Sequence, residues 1–375
     1  MIYKNFKDKK LSALGFGTMR LPTIDKDISK IDEEKVFEMF DYAISRGINY
    51  FDTAWGYHNG MSEIAVGKAL KRHPRESFYL ASKFPGYDVS NFGKTEEIFE
   101  RQLEKCQVEY FDFYLIHNVC EKNIEHYLDR SYGTVDYLLE QKAKGRIKHL
   151  GFSTHADYNN FLRFMDAYGE HMEFCQIQLN YIDYEFQEAN KKVEYLNERN
   201  IPIWVMEPLR GGKIAGIKEE LFSDIKATRP NLTPCSLAFR FLQAIKGVTV
   251  TLSGMSNFEQ AKDNINTFST DEPLNEKEFM ATLEMARRMT SNVPCTSCRY
   301  CTEYCPQELD IPKLISLYNE HVFTGGGFIA PMYISTLPDN KKPTACIGCK
   351  SCEAVCPQNI KISEVMSDFG LRLKG

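Results

Sequence analysis

A regular alternation of short apolar runs and amphipathic stretches extends from residue 13 to residue 268 and constrains the fold more than any other feature. Runs rich in β-branched and aromatic residues predict eight strands, at 13–18, 49–52, 78–83, 112–117, 147–153, 174–179, 201–207 and 247–254. Apolar residues at three-to-four spacing predict helices near 33–45, 62–71, 95–106, 135–144, 157–167, 188–198, 234–245 and 258–268. Consecutive β/α units of this kind predict a (β/α)8 TIM barrel of the α/β class.

Composition predicts a second, smaller domain. A chain of 375 residues with 43% hydrophobic content can bury a large core and still leave room for a small module. Eight of the 12 cysteines lie between residues 295 and 356, and this clustering indicates metal binding and not disulfides. We therefore expect a barrel domain at 1–289, which ends with a helical run at 276–289, and a cysteine-rich domain at 290–375.

Charge and hydropathy exclude several classes of partner. The formal net charge of −5 and the lack of a basic run argue against a nucleic-acid surface. No apolar run is long enough to span a membrane, and the polar start of the chain lacks a signal-peptide pattern. These features predict a cytoplasmic protein with neither a nucleic-acid nor a membrane partner.

Four residues able to hold or transfer protons follow three consecutive predicted strands. Asp52 and Tyr57 follow the second strand, Lys83 ends the third, and His117 ends the fourth. Each has an ordinary alternative alone: a helix cap, a packed ring, a surface lysine or a strand-end histidine. Because the strands of a TIM barrel all end on its catalytic face, their joint occurrence predicts a catalytic group.

The four residue types suggest how a proton could be supplied. An unperturbed tyrosine has a pKa of about 10, so a tyrosine that donates near neutral pH needs help from a neighbour. We expect Lys83 to supply a positive charge beside Tyr57 and Asp52 to pair with Lys83. His117 would orient or polarise a carbonyl oxygen.

The residues of this group lie in the sequences Phe-Asp-Thr-Ala, Ser-Lys and Leu-Ile-His. In these motifs the sequence resembles the aldo-keto reductase superfamily, and the resemblance covers residues 1–289. The resemblance implies a barrel that binds a nicotinamide cofactor, NADH or NADPH, across its strand ends. It also implies reduction of a small carbonyl substrate, with Tyr57 as the proton donor. Ser153, Gln176 and Asn180 match positions that hold the cofactor carboxamide in the family.

Phosphate binding is predicted in the loops after the last two strands, where such barrels present backbone amides at helix starts. The alternative is that the glycines there only form turns. The candidate residues are Arg210, Gly211, Gly212, Lys213, Ser253, Gly254, Ser256, Gln260 and Asn264.

Three positions depart from the family pattern. Gly254 and Gln260 stand where NADPH-selective members carry a lysine and an arginine for the 2′-phosphate. Met206 stands where many members stack an aromatic ring on the nicotinamide. These departures weaken the case for NADPH and leave the identity of the ring cofactor open.

The cysteines form a duplicated motif with an offset of 51 residues: Cys295, Cys298, Cys301 and Cys305-Pro, then Cys346, Cys349, Cys352 and Cys356-Pro. Three closely spaced thiolates bind one 4Fe-4S cluster, and the cysteine before proline ligates the other cluster in two-cluster ferredoxins. The spacing therefore assigns Cys295, Cys298, Cys301 and Cys356 to one cluster, and Cys305, Cys346, Cys349 and Cys352 to the other. Zinc, the alternative metal, favours two paired Cys-x-x-Cys knuckles.

The cysteine-rich region resembles a bacterial two-cluster ferredoxin with an insertion at 319–343, which implies a small α+β domain. The whole chain then reads as an iron-sulfur oxidoreductase that couples two-electron carbonyl reduction to one-electron transfer, with ferredoxin or flavodoxin as a possible donor. Nicotinamide passes two electrons together whereas each cluster passes one, so a flavin such as FMN, held by 210–213, could divide the pair. The alternatives are an ordinary NAD(P)H-dependent reductase with structural clusters and a non-catalytic electron relay or redox sensor.

The duplicated motif generates a first prediction. When the protein is reconstituted without oxygen, we expect about eight irons and eight acid-labile sulfides per chain, because each cubane holds four of both. Iron, sulfide and zinc assays on one sample test this, and stoichiometric zinc without a visible chromophore would contradict it. Since thiolate clusters are oxygen-sensitive, we also expect an anaerobic or microaerobic cytoplasm.

Overall fold

The computed structural model describes residues 1–289, 292–295 and 297–374, and the chain divides into two compact units, Met1–Phe279 and Met280–Gly375. The division falls inside the helix Glu276–Met289, ten residues before the boundary expected between 289 and 290. Thr290, at that expected boundary, lies outside the described residues.

The first unit is built on a closed barrel of eight parallel strands in the order β10-β3-β4-β5-β6-β7-β8-β9. The strands are β3 (Leu14–Gly17), β4 (Tyr50–Asp52), β5 (Tyr79–Phe84), β6 (Phe111–Val119), β7 (Ile147–Thr154), β8 (Cys175–Gln178), β9 (Ile203–Met206) and β10 (Val248–Gly254). Every one overlaps a predicted strand, so the barrel prediction is confirmed. Because neighbouring strands are parallel, their C-terminal ends all reach the same face.

A hairpin of β1 (Tyr3–Phe6) and β2 (Lys9–Ser12) precedes the barrel. Phe6 is 2% exposed and belongs to the same apolar cluster as Phe113, Phe174 and Trp204. Its ring meets those of Phe113 and Trp204 at centroid distances of 5.4 and 5.3 Å. The hairpin therefore contributes an aromatic side chain to the barrel core.

Helices follow the barrel strands at all eight predicted places, and shorter ones lie in the loops. The helices of this part are α1 (Glu33–Ser45), α2 (Ser62–Leu70), α3 (Thr95–Cys106), α4 (Ile124–Leu128), α5 (Thr134–Ala143), α6 (Tyr158–Tyr168), α7 (Asp183–Phe186), α8 (Ala189–Glu198), α9 (Ser223–Thr228), α10 (Pro234–Gln243), α11 (Phe258–Thr267) and α12 (Glu276–Met289). The loops also hold 3-10 turns at Tyr57–Gly60, Arg75–Ser77, Val89–Asn91, Arg130–Tyr132, Gly169–His171, Arg210–Gly212, Ile214–Gly216 and Glu219–Phe222. In the described part of the chain, no helix has the length and apolar character needed to cross a membrane.

The second unit repeats its backbone at the offset of its cysteine motif. Its helices are α13 (Tyr300–Glu303), α14 (Ile311–Thr324), α15 (Ile329–Thr336), α16 (Ser351–Ala354) and α17 (Ile362–Arg372), with 3-10 turns at Asp339–Lys341 and Pro343–Ala345. The starts of α13 and α16, and of α14 and α17, are each 51 residues apart. Positive φ angles recur in the same way: 67° at Arg299 and 61° at Lys350, 50° at Glu308 and 52° at Asn359. The sequence duplication is therefore a structural duplication.

The described residues of this unit form helices and turns, with no strand among them. The backbone of Val293 bonds to a side chain: its N–H donates to Asn319 Oδ1 at 2.7 Å, and its carbonyl accepts from Asn319 Nδ2 at 2.9 Å. A side-chain amide thus satisfies both backbone polar groups of Val293. The expected insertion at 319–343 contains the end of α14 and the whole of α15. Gly325, which ends α14, has a left-handed backbone with a φ of 59°.

The aromatic core of the barrel generates a stability prediction. Phe113 is fully buried, and its ring contacts those of Phe6, Tyr50 and Trp204. Phe113→Ala should lower the free energy of unfolding of the barrel unit by about 3–5 kcal/mol, because it removes apolar contacts and leaves a cavity. Urea unfolding followed by tryptophan fluorescence measures this, since both tryptophans lie in that unit.

Leu221→Ala serves as the control for Phe113→Ala, because Leu221 is 43% exposed and its truncation should change the stability by less than about 0.5 kcal/mol. Equal losses in the two variants would contradict the assignment of Phe113 to the core.

Candidate active site and cysteine-lined cavities

Three neighbouring strands bring the predicted tetrad to the C-terminal face of the barrel. Asp52 is the last residue of β4, Lys83 is the second-to-last residue of β5, and His117 lies near the end of β6. Tyr57 begins the 3-10 turn that follows β4. The structure therefore gathers all four side chains at one end of the barrel.

A buried ion pair joins Asp52 and Lys83. Lys83 Nζ donates to Asp52 Oδ1 at 2.6 Å and to the Thr53 carbonyl at 2.8 Å, and the Lys83 side chain is fully buried. Burial lowers the pKa of Lys83 and raises the pKa of Asp52, while their mutual attraction opposes both shifts. The pair keeps two charges in a largely apolar barrel.

Tyr57 does not have the lowered pKa that its cationic neighbour led us to expect. Lys83 Nζ lies 5.0 Å from the centroid of the Tyr57 ring, so the charge is close. Burial nevertheless raises the pKa of Tyr57 well above its usual value, and the carboxylates of Asp52 and Glu207 raise it further. The physical reason is that burial disfavours a charged phenolate and that the two nearby carboxylates disfavour it further. Tyr57 therefore keeps its proton.

His117 is held as a neutral ring beside Tyr57. Burial and the nearby charge of Lys83 keep the pKa of His117 well below 6.5. The register of β6 against β7 shifts between Ile116 and Val119, a bulge that re-aims the side chains at this strand end. The rings of Tyr57 and Tyr87 stand edge-on to His117 at 6.1 and 5.2 Å, and burial raises the pKa of Tyr87 to about 12.

Two of the three residues expected at a carboxamide have hydrogen-bonding capacity left. Gln176 Oε1 is buried and accepts no hydrogen bond within the described residues, while its Nε2 donates to Met206 Sδ at 3.5 Å. The hydroxyl of Ser153 accepts from the Asn118 N–H at 2.8 Å.

Asn180, the third residue, links the loops after β8 and β9. Its Oδ1 accepts from the Ile182 and Asp183 N–H groups, and its Nδ2 donates to Asp183 and to the Glu207 carbonyl. Asn180 thus shapes these loops, and its contact with a carboxamide stays a prediction.

Arg210 is held in a buried ion pair. Its Nη2 and Nε donate to the two carboxylate oxygens of Asp183 at 3.0 and 3.2 Å. Gln178 and Gln187 donate to the same carboxylate. Because buried charges of opposite sign must pair, Arg210 fastens this loop, and its contact with a cofactor phosphate stays a prediction.

The loop after β10 is also organised internally. Asn264 Nδ2 donates to Ser253 Oγ at 3.0 Å, and both side chains are buried. Gln260 accepts from the Ser256 N–H at 2.8 Å, and Asn257 caps α11. Six of the predicted phosphate residues are exposed: Gly211, Gly212, Lys213, Gly254, Ser256 and Gln260.

Sequence reasoning missed three residues at this face. The exposed side chain of Arg20 lies beside the loops that contain Gly211 and Gly254. A Cβ atom added to Gly254 would lie 3.2 Å from Arg20 Cβ, and one added to Gly211 would lie 3.1 Å from Arg20 Nη2. Glu207 has a φ of 56° and a pKa raised by burial. Asn118, also left-handed, has a buried Oδ1 that accepts no bond from the described residues. Each stands at a strand exit, which is the signal that could have revealed it.

The eight cysteines of the second unit line two separate cavities. One is lined by Cys295, Cys298, Cys301 and Cys356, and the other by Cys305, Cys346, Cys349 and Cys352. Each cavity receives three cysteines from one copy of the repeat and the fourth from the other. Within the described chain, no three or more His, Cys, Asp or Glu side chains are arranged to hold a single metal ion.

Comparison with known proteins identifies both parts of the chain. Residues 13–286 match the aldo/keto reductase family. The chain belongs to the aldo/keto reductase family. Residues 294–360 match a 4Fe-4S dicluster domain. This aldo/keto reductase is thus an oxidoreductase with an iron-sulfur domain, and both resemblances noted from the motifs are confirmed.

Known relatives cover the barrel to different extents. A probable aldo-keto reductase 1 from Glycine max is 34% identical over 38% of this chain, which covers only 42% of that protein. The 9,11-endoperoxide prostaglandin H2 reductase of Trypanosoma cruzi is 28% identical over 64% of this chain and 78% of its own length. The holo form of an aldo-keto reductase from Bacillus halodurans, 23% identical, shares the fold with a TM-score of 0.62 over 76% of this chain and 96% of that one.

The buried His155 should make the stability of this aldo/keto reductase depend on pH. Burial, aided by the charge of Lys192, lowers the pKa of His155 to about 4. Below about pH 6.5, His155 binds a proton in the unfolded chain but stays neutral in the folded chain. The free energy of unfolding should therefore fall as the pH drops from about 6.5 towards 4. His155→Gln should remove about 2 kcal/mol of the loss between pH 7 and pH 5.

Urea unfolding at several pH values measures this effect. His171→Gln, which replaces a histidine whose side chain is 40% exposed, is the matched control and should keep the fall in stability towards pH 4. An unchanged pH dependence in His155→Gln would contradict the prediction.

Proposed function

We propose that the barrel reduces the carbonyl group of a small molecule, and that the second unit carries two 4Fe-4S clusters that exchange single electrons with this reaction. The joint placement of Asp52, Tyr57, Lys83 and His117 at one strand end supports the first part. The two cysteine-lined cavities support the second.

The tetrad can supply a proton where the reaction needs one. The carbonyl carbon gains a hydride, the oxygen gains the Tyr57 proton, and the product is an alcohol, so the change consumes two electrons and two protons once water has restored Tyr57. Although the pKa of Tyr57 is raised, a developing alkoxide is a far stronger base than a phenolate. Neutral His117 can donate one hydrogen bond to the same oxygen.

The hydride source would be a planar ring with an amide or imide edge, which describes both nicotinamide and flavin. Either ring supplies a hydride when bound. The buried acceptor Gln176 Oε1 lacks a donor within the described residues, and with Ser153 it fits such an edge. Because Arg20 lies beside the loops of Gly211 and Gly254, and Lys213 is exposed, we assign the cofactor phosphate to the side chains of Arg20 and Lys213.

The cluster assignment rests on how the two copies of the repeat share ligands. We assign one cluster to Cys295, Cys298, Cys301 and Cys356, and the other to Cys305, Cys346, Cys349 and Cys352. Exchange of the fourth cysteine between copies is how two-cluster ferredoxins bind their cubanes. Each cavity is otherwise lined largely by apolar residues, among them Ile315 in the first and Met366 in the second.

Coupling of the clusters to the barrel needs a group that divides an electron pair. A flavin such as FMN would provide it, and a small one-electron carrier protein such as ferredoxin or flavodoxin would be the external donor. The competing function is NAD(P)H-dependent carbonyl reduction with clusters that only stabilise the second unit.

Tyr57→Phe tests the catalytic assignment. Carbonyl reduction should fall by about 10²–10⁴-fold with every electron donor, because the general acid is lost while the ring stays. A panel of aldehydes, ketones and 2-oxoaldehydes, assayed without oxygen with NADH, NADPH and reduced ferredoxin, measures this. Tyr304→Phe, at a ring that is 54% exposed in the second unit, should keep full activity.

The same assays separate the competing functions. Turnover driven by reduced ferredoxin that disappears when the cluster cysteines are replaced supports coupling, as does FMN released on denaturation. Turnover with NADH or NADPH alone, unchanged after that replacement, would leave the clusters structural. Electron transfer without any carbonyl reduction by the wild type would show a relay.

A further inference from the structure

The first turn of α2 contacts the residues that follow β3 and β4. Ser62 and Glu63 begin this helix, and both side chains are fully buried. The hydroxyl of Ser62 lies 2.8 Å from Thr18 Oγ1 and 3.0 Å from Thr53 Oγ1. The carbonyl of Thr53 in turn accepts a hydrogen bond from Lys83 Nζ. The start of α2 therefore holds the ends of two barrel strands beside Lys83.

Glu63 connects this helix to the end of β5. Its Oε1 accepts from Ser82 Oγ at 2.7 Å and from Gln102 Nε2 at 2.6 Å. The same nitrogen of Gln102 also donates to the Lys83 carbonyl at 3.0 Å. The Tyr114 hydroxyl donates to Gln102 Oε1 at 2.5 Å, which turns the NH2 group of this amide towards Glu63. One buried carboxylate thus holds both the residue before Lys83 and the amide that binds the Lys83 backbone.

The other oxygen of Glu63 connects to the loop that carries Tyr57. Glu63 Oε2 accepts from Lys105 Nζ at 2.8 Å, and the Lys105 side chain is largely buried. The same ammonium lies 4.2 Å from the centroid of the Trp55 ring, a distance typical of a cation–π interaction. Trp55 precedes Tyr57 by two residues. Through one residue on each side, Glu63 therefore reaches the strand end of Lys83 and the loop of Tyr57.

The charge of Glu63 also acts on Lys83. The titratable groups that face Lys83 in the described chain are Asp52 on β4, Tyr57 after β4, His117 on β6 and Glu63 on α2. Burial lowers the pKa of Lys83, and the carboxylates of Asp52 and Glu63 oppose this shift. A neutral residue in place of Glu63 should therefore let Lys83 lose its proton at a lower pH.

We propose that Glu63 is a positioning residue for proton transfer in the barrel. It holds the end of β5 through Gln102 and the loop of Tyr57 through Lys105. In the reaction the carbonyl carbon gains a hydride and the oxygen gains the Tyr57 proton, while Glu63 neither gains nor loses a proton. This role rests on the carbonyl reduction proposed above.

Glu63→Gln in the full chain tests the proposal, because glutamine keeps the shape and one acceptor oxygen but removes the charge. In carbonyl reduction, kcat should fall by about 10-fold while KM changes by less than about twofold, since the proton donor is displaced and the substrate contacts stay. The alkaline limb of the kcat profile should move to lower pH, because Lys83 is deprotonated more readily.

Asp112→Asn is the matched control for Glu63→Gln. It also neutralises a buried carboxylate in an ion pair, with Arg75 Nη2 at 2.6 Å, but near the start of β6 and so at the other end of the barrel. It should leave kcat, KM and the pH profile unchanged.

Lys105→Met is a second variant, and its expected effect has the opposite sign. It removes the cation and leaves the charge of Glu63 uncompensated, so the alkaline limb should move to higher pH. Both variants should also shift the fluorine resonance of 5-fluorotryptophan at Trp55 and leave that of the buried Trp204. Trp55→Phe assigns these two resonances, and circular dichroism checks the fold of each variant.

The outcomes separate this proposal from the proposed function. Opposite shifts of the alkaline limb support the role of Glu63, whereas an unmoved limb or shifts in the same direction would overturn it and leave carbonyl reduction standing. If Glu63→Gln does not fold, the direction of the shift in Lys105→Met decides. A wild type that reduces no carbonyl with any donor would overturn the proposed function, and an unmoved Trp55 resonance would separately overturn the link through Lys105.

Discussion

The buried ion pair of Asp52 and Lys83 is the interaction on which the barrel site depends. A lysine with no exposed surface requires a partner, and the 2.6 Å contact supplies it from the neighbouring strand. Loss of one partner would leave an uncompensated buried charge, which costs about 3–5 kcal/mol. Burial and the nearby carboxylates keep the proton on Tyr57, which is therefore released only to a strong base formed in the reaction.

The second unit shows how one backbone can support two different chemical environments. Its short helices and left-handed residues recur 51 positions apart, because a loop of closely spaced cysteines must wrap a compact cluster in each copy. Side chains outside the cysteine loops are free to differ, as Ser351 and Tyr300 do at equivalent positions. Duplication thus conserves the backbone around the cysteines while neighbouring side chains diverge.

Local patterns predicted the barrel and the tetrad because both depend on residues close in sequence. Strand periodicity located all eight strands, and strand ends located Asp52, Lys83 and His117. The bonds of Arg210 and Asn180 to Asp183 were not predicted, because no local pattern marks Asp183 as their partner. Arg20 was missed for a related reason, since only the closed barrel brings β3 beside β10 and their loops together.

The most direct test of coupling is to reduce the protein with dithionite, remove the excess, and add a carbonyl substrate without any nucleotide. If the clusters supply the electrons, their paramagnetic signals should disappear as alcohol forms, with one alcohol for every two electrons lost. Tyr57→Phe should remain reduced under the same conditions. Clusters that stay reduced in the wild type, while NADH or NADPH still yields the alcohol, would contradict the account.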